Sequence, residues 1–115
     1  VDTPVDTPVP QSHIDEAWAW WRSIGSPRYI MAPMVNCSDL AFRQIVRKYG
    51  ANLTFSQMLC TGPFLSASAI EQQGLVEPDP QDRPFVVQIA TDDPDAFVEA
   101  AIRVQDWCDA VDLNL

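Results

Sequence analysis

The stretch Tyr29-Ile30-Met31-Ala32-Pro33-Met34-Val35 decides how this chain is read. It has the length and apolar character of one buried strand, and a proline interrupts it near its end. Proline has no N–H to give to a central ladder, so the strand must stop and the chain must turn away. The same plan then recurs: apolar run, loop, amphipathic stretch, next apolar run. The later runs are Leu53 to Leu59, Phe85 to Ala90 and Ala110 to Leu115. Strand–helix–strand spacings of roughly 25–30 residues predict parallel strands joined by right-handed crossovers. Runs apolar on both faces suit a sheet buried under helices. The expected fold class is therefore α/β. Two architectures satisfy it, an open doubly wound sheet or the N-terminal half of an eight-stranded barrel with about four of its strands. Both bind ligands at the C-terminal ends of the strands. No Gly-x-Gly-x-x-Gly follows the first run, so a dinucleotide fingerprint is absent.

The segments between the runs carry helix signals. Ser12 to Ser23 reads as a short helix with Ser12 as its cap and Asp15 three residues on. Trp18 and Trp21 share a face with Ile14 and are expected to cover one end of the body. Ser38 or Asp39 caps a second helix, with Phe42, Ile45, Val46 and Tyr49 as its buried stripe and Arg43, Arg47 and Lys48 in water. Phe64 to Gln73 is weakly helical, and Gly74 to Arg83, with Pro78 and Pro80, reads as a surface loop. Asp93 followed by Pro94 is the clearest helix start in the chain, with Phe97, Ala101, Val104 and Cys108 as the buried face. The tandem Val-Asp-Thr-Pro near the N-terminus argues for disorder. The expected division is a disordered tail over 1–12, a lead-in helix over 13–28 and the α/β body over 29–115. The final run stops at Leu115 and reads as cut rather than finished.

Composition excludes several classes. The 115 residues are 47% hydrophobic and carry a formal net charge of −9, which taken alone disfavours direct binding of nucleic acid. No apolar run approaches the roughly 20 residues of a membrane helix, so no membrane association is expected. Nor does the N-terminus look like a secretory signal. Cys37, Cys60 and Cys108 form no Cys-x-x-Cys pair and His13 is the only histidine, so no metal site is expected. Unpaired thiols suit a reducing compartment, cytoplasmic or nuclear.

Three features at strand ends carry chemistry. Pro33 and Met34 are candidates to support a flat aromatic ligand, with the backbone of Met34 and Val35 to hydrogen-bond it; an ordinary strand end is the alternative reading. Gln88 is a lone amide in an apolar strand and has both a donor and an acceptor, as the edge of a pyrimidine-like ring requires; a structural hydrogen bond explains it equally well. Asp112 and Asn114 alternate onto one side of the last strand, facing the centre if the sheet closes, where they read as ligand contacts or as a polar layer satisfied within the barrel. Cys37 and Cys60 also follow strands, but no nearby histidine or lysine activates them, and they read as inert.

These residues resemble a known family. Ala32-Pro33-Met34-Val35, Ser38-Asp39-Leu40-Ala41-Phe42-Arg43 and Tyr49-Gly50-Ala51 are similar to the opening of the tRNA-dihydrouridine synthases. Arg83-Pro84-Phe85-Val86-Val87-Gln88-Ile89 before Asp93-Pro94 looks like the family's third strand and helix, and Cys108 to Leu115 like its fourth strand. Trp21-Arg22-Ser23-Ile24-Gly25 resembles the lead-in of the eukaryotic branch acting on D-loop uridines 16 and 17. The resemblance implies an FMN-binding TIM barrel that reduces uridine to 5,6-dihydrouridine in tRNA, with NADPH reducing the flavin. By position, Pro33, Met34 and Val35 would line FMN, Gln88 would hydrogen-bond it, and Asn114 would contact flavin and uracil. The family continues into Gly-Cys-Pro, whose cysteine is the catalytic acid. That cysteine lies beyond Leu115, and none of the three cysteines here takes its slot. The implied state is thus a partial barrel, inactive alone, contacting tRNA mainly through absent parts. Ser56-Gln57-Met58 stands where the family often has Thr-Pro-Met. Two rivals remain: another FMN barrel oxidoreductase, such as a dihydroorotate or dihydropyrimidine dehydrogenase, and a truncated non-catalytic product that acts through binding.

Overall fold

The structure is a computed structural model that describes residues 7–115. Its centre is the strand β3, Phe85–Ala90. Along one edge β3 pairs in parallel with β4, Ala110–Asn114, from Val86–Ala110 through Ala90–Asn114. Its other edge takes two short parallel pieces end to end, β1 (Thr54–Phe55) and β2 (Leu59–Cys60). Beyond β1, Ile30 makes a single parallel bridge to Leu53. The strands therefore neighbour one another in chain order, which is not the reversed order of a doubly wound sheet.

One face of the sheet is dry. Phe85, Val87 and Ile89 are buried there with Leu59, under Phe64 of α3 (Thr61–Ser66), Val76 of α4 (Ala69–Val76), and Ala100 and Val104 of α5 (Pro94–Val104). Each such side chain contributes about 1.5–3 kcal/mol by leaving water. Alternation sends Val86, Gln88 and Ala90 to the opposite face. The helix starts follow their caps. Asp93 accepts from the Asp95 and Ala96 N–H groups ahead of Pro94, and Ser68 with Glu71 closes a capping box on α4. Those two bonds from Ser68 hold the Glu71 carboxyl below its ordinary pKa.

The sequence expected one strand over Leu53 to Leu59, and the ladder is broken instead. Phe55 pairs with Val86 and Leu59 with Ile89, so Ser56, Gln57 and Met58 face only Val87 and Gln88. One extra residue on one strand is a β-bulge. Ser56 repairs it, for its backbone N–H donates to Val86 O and its Oγ accepts from the Gln88 N–H at 3.0 Å. The first run likewise falls short of a strand. Its pairing ends at Met31, whose N–H donates to Leu53 O, because Pro33 has no donor and Ser38 folds the chain back.

The second helix, α2 (Leu40–Lys48), is rotated from its expected orientation. Asp39 caps it, accepting from the Phe42 N–H. The side chain it buries is Arg43, whereas Ile45 and Tyr49 are exposed. The cause lies in the expected surface loop, where Asp82 is only 2% exposed. Asp82 takes Arg43 Nε at 2.6 Å, Arg47 Nε, and the Thr54 hydroxyl at 2.8 Å. Arg43 further donates to Ser38 O and Glu77 O and lies 4.5 Å over the Phe85 ring. A paired carboxylate thus draws the charged face inward, and Phe42 and Val46 are left lining an apolar groove of about 470 Å³ with Tyr29, Met31 and Tyr49. Gly74 to Val76 also leave the expected loop to finish α4, where Val76 is buried. In α5, Ala100 and Val104 form the buried face, with Phe97 and Ala101 beside them.

The lead-in helix α1 spans Gln11–Ser23, begins at Pro10 without a side-chain cap, and buries no residue. Ser12 lies inside it, and Asp15 accepts from Gln11 instead. Trp18 stands in water and Trp21 is only half-buried, so neither of the two tryptophans expected to cover the body is buried against it. The expected tail falls partly on 1–6, outside the described residues; Gln11 and Ser12 are helical.

Candidate functional site

The C-terminal edge of the sheet is assembled from four segments of chain. At the first, Pro33 and Met34 are half-buried and Val35 is exposed. Ser38 Oγ accepts from the Met34 N–H at 2.8 Å, and Met34 O accepts from the Cys37 and Ser38 N–H groups. Both backbone groups of Met34 are therefore committed to the turn. What Met34 and Pro33 offer a ligand is side-chain surface, which corrects the expectation of a free Met34 backbone. The turn is tied to the bulge by Gln57 Oε1, which accepts from the Asn36 N–H at 3.2 Å.

The open face of β3 and β4 forms the rest. Registered neighbours in a parallel ladder point the same way, so Gln88 and Asp112 stand side by side, with Ala90 and Asn114 next along. Gln88 Nε2 donates to Asp112 Oδ2 at 2.7 Å. Asn114 Nδ2 reaches Met58 Sδ at 3.3 Å, tying the end of β4 to the bulge. The geometry brings Gln88, Asp112 and Asn114 onto one half-buried face and sets the Pro33–Met34 turn at the same edge through the bulge. Among the described residues no buried side-chain nitrogen or oxygen lacks a partner. Gln88 Oε1 and Asn114 Oδ1 make no hydrogen bond within these residues, so both reach solvent.

Ser56, Gln57 and Met58 are the site residues that sequence reasoning missed. Their only signal was the departure at this triplet from the pattern of the resembled family. Among the cysteines, Cys60 is exposed and registered with Ala90, which places it on the open face; Cys37 is half-buried in the first turn. Burial pushes the Cys108 thiol above its ordinary pKa, and its Sγ donates to Val104 O. Among the described residues no group of His, Cys, Asp or Glu is placed to hold a metal ion, and no helix is long and apolar enough to cross a membrane.

Pro33 and Met34 present side-chain surface at this edge, and Gln88 Oε1 and Asn114 Oδ1 present hydrogen-bond acceptors. The rim segments 33–38, 56–60, 88–93 and 112–115 contain no lysine or arginine, so the edge has no fixed positive charge for a phosphate.

The chain is similar to known proteins. A family model described as dihydrouridine synthase (Dus) matches residues 30–115. The chain is 42% identical over 97 residues to the tRNA-dihydrouridine(16/17) synthase-like protein of Rattus norvegicus, covering 84% of this chain and 22% of that protein. It is 44% identical over 94 residues to the tRNA-dihydrouridine(16/17) synthase of Saccharomyces cerevisiae, covering 80% and 22%. With tRNA-dihydrouridine synthase B of Pseudomonas aeruginosa it shares 37% over 89 residues, covering 76% and 26%. The chain thus spans about a quarter or less of the length of these relatives. The match runs through the turn, the bulge and both polar strands, and on it the chain belongs to the dihydrouridine synthase family.

Proposed function

We propose that this chain forms strands one to four of a flavin-dependent tRNA-dihydrouridine synthase. The sequential parallel order supports a barrel: the Ile30 bridge, the β1–β2 edge, β3 and β4 neighbour one another in chain order, helices cover one face, and the polar face is turned to what would be the barrel centre. The substrate is uridine in the tRNA D-loop. Positions 16 and 17 are proposed because the rat and yeast relatives carry those numbers in their names. The same names carry NAD(P)(+), which supports a nicotinamide reductant, NADPH in this proposal.

The residues present fit the ring of FMN and not its phosphate. When bound, FMN supplies the hydride chemistry that saturates a uracil ring. This chain's residues bind and orient. Pro33 and Met34 present apolar surface, Val35 extends it, Gln88 Oε1 accepts from an N–H on the ring edge, and Asn114 Oδ1 accepts beside it. The phosphate grip, the catalytic acid and most of the tRNA contact are assigned to other parts of the parent enzyme. The cytoplasm or nucleus is its proposed compartment.

The observation that carries this reading is the pair of outward carbonyl oxygens, Gln88 Oε1 and Asn114 Oδ1, on a half-buried face at the strand ends. Titrating the chain with FMN and following flavin fluorescence tests it. The proposal expects saturable quenching that Gln88→Ala weakens about tenfold, the scale of one lost hydrogen bond to a buried ring. Quenching by the variant equal to that of the parent chain would remove Gln88 from the site.

A further inference from the structure

The contact between Gln88 and Asp112 has a consequence for what this face recognises. A glutamine amide is two-sided, with an NH2 that donates and a carbonyl that accepts, and a free one turns either end to a ligand. Here it is not free. A carboxylate has acceptors only, so the Asp112 carboxylate fixes the amide with its NH2 inward at 2.7 Å. The backbone on either side is held as well, because the Gln88 N–H donates to Ser56 Oγ and the two residues are in register across the ladder. The carbonyl oxygen is then the end that reaches solvent. Asn114 has the same sense, with its NH2 toward Met58 Sδ, a weaker acceptor, and its oxygen outward.

We propose that Asp112 is a positioning residue that makes this face an acceptor, so that it selects a planar ring presenting an N–H, the imide edge shared by flavin and uracil. This rests on the flavin reading above. A ring methylated at that nitrogen leaves the Gln88 oxygen facing a methyl group and is rejected. Asp112 touches no ligand in this scheme and acts through the orientation of Gln88.

The test compares FMN with N3-methyl-FMN, and uridine with 3-methyluridine, on the 115-residue chain and on D112L and D112N. Whichever ring shows the preference for N–H identifies the ligand this face takes. The wild-type chain is expected to prefer the N–H form by about tenfold. Asp112→Leu removes the acceptor at similar volume and lets the amide turn, so the preference falls to about twofold or less. Asp112→Asn still offers a carbonyl oxygen and restores part of it. A loss of folding lowers binding of both ligand forms and shows in the circular dichroism of the variant, so the ratio is read on variants whose spectrum matches the wild-type chain. In ¹⁵N spectra of the wild-type chain, the Gln88 side-chain NH2 is expected to exchange with water more slowly than the other glutamine side chains in solvent, which does not depend on any variant folding. Wild-type binding of FMN or uridine with the N–H preference intact in D112L, or a freely exchanging Gln88 NH2, would overturn the role of Asp112 alone. Binding of neither ring by the wild-type chain would overturn the flavin reading itself, and with it the ligand named here.

Discussion

Asp82 shows how one residue redirects a helix. Burial alone pushes its carboxyl pKa up, and hydrogen bonds from Arg43, Arg47 and Thr54 outweigh that, leaving it below the ordinary carboxylate value. Two charges left without Asp82 would be uncompensated, so Asp82→Ala is expected to cost about 3–5 kcal/mol in urea unfolding. The pH dependence follows in sign. A depressed folded pKa contributes stability that is fully present above the unfolded value of about 4 and is lost as pH falls through the lower folded value. Acid unfolding of the parent chain should therefore steepen below about pH 4, and an Asp82→Asn chain should lose that component. Ser56 makes a smaller claim. Ser56→Ala strands the Gln88 N–H and is expected to cost about 1–3 kcal/mol by the same assay.

At the scale of elements, legibility tracked how local the cause was. The β3 strand was readable at its stated bounds because six residues in a row are apolar save one, and α5 because its cap and its proline are adjacent in sequence. The face of α2 was not readable. Its apolar stripe pointed one way, while the deciding partner, Asp82, lies 39 residues from Arg43. The break between β1 and β2 depends on how many residues β3 sets against the triplet, and no periodicity within the triplet reveals that. For α1, a stripe of tryptophans predicted burial, yet the helix buries none of its residues. Iodide is therefore expected to quench a large share of tryptophan emission from the folded chain, since Trp18 and Trp20 are exposed. Emission protected until unfolding would place α1 against the body. Asp93→Ala, which removes the cap of α5, is expected to cost about 1 kcal/mol.

For the whole molecule, the placement of Pro33, Met34, Val35, Gln88 and Asn114 at the sheet edge was legible because a proline and lone polar residues stand out in apolar strands, while their roles toward a ligand belong to the proposal. Less legible was the direction each amide faces, which rests on Asp112 and Met58 across the sheet. The net charge of −9 and a rim free of lysine and arginine leave this edge without fixed positive charge. The chain belongs to the dihydrouridine synthase family, and the proposed activity is tested on the whole protein. The most direct test is to disrupt the gene encoding this chain and map dihydrouridine in the cell's tRNA by mass spectrometry. The account predicts loss at positions 16 and 17 with other dihydrouridines retained; full retention at both positions would contradict it.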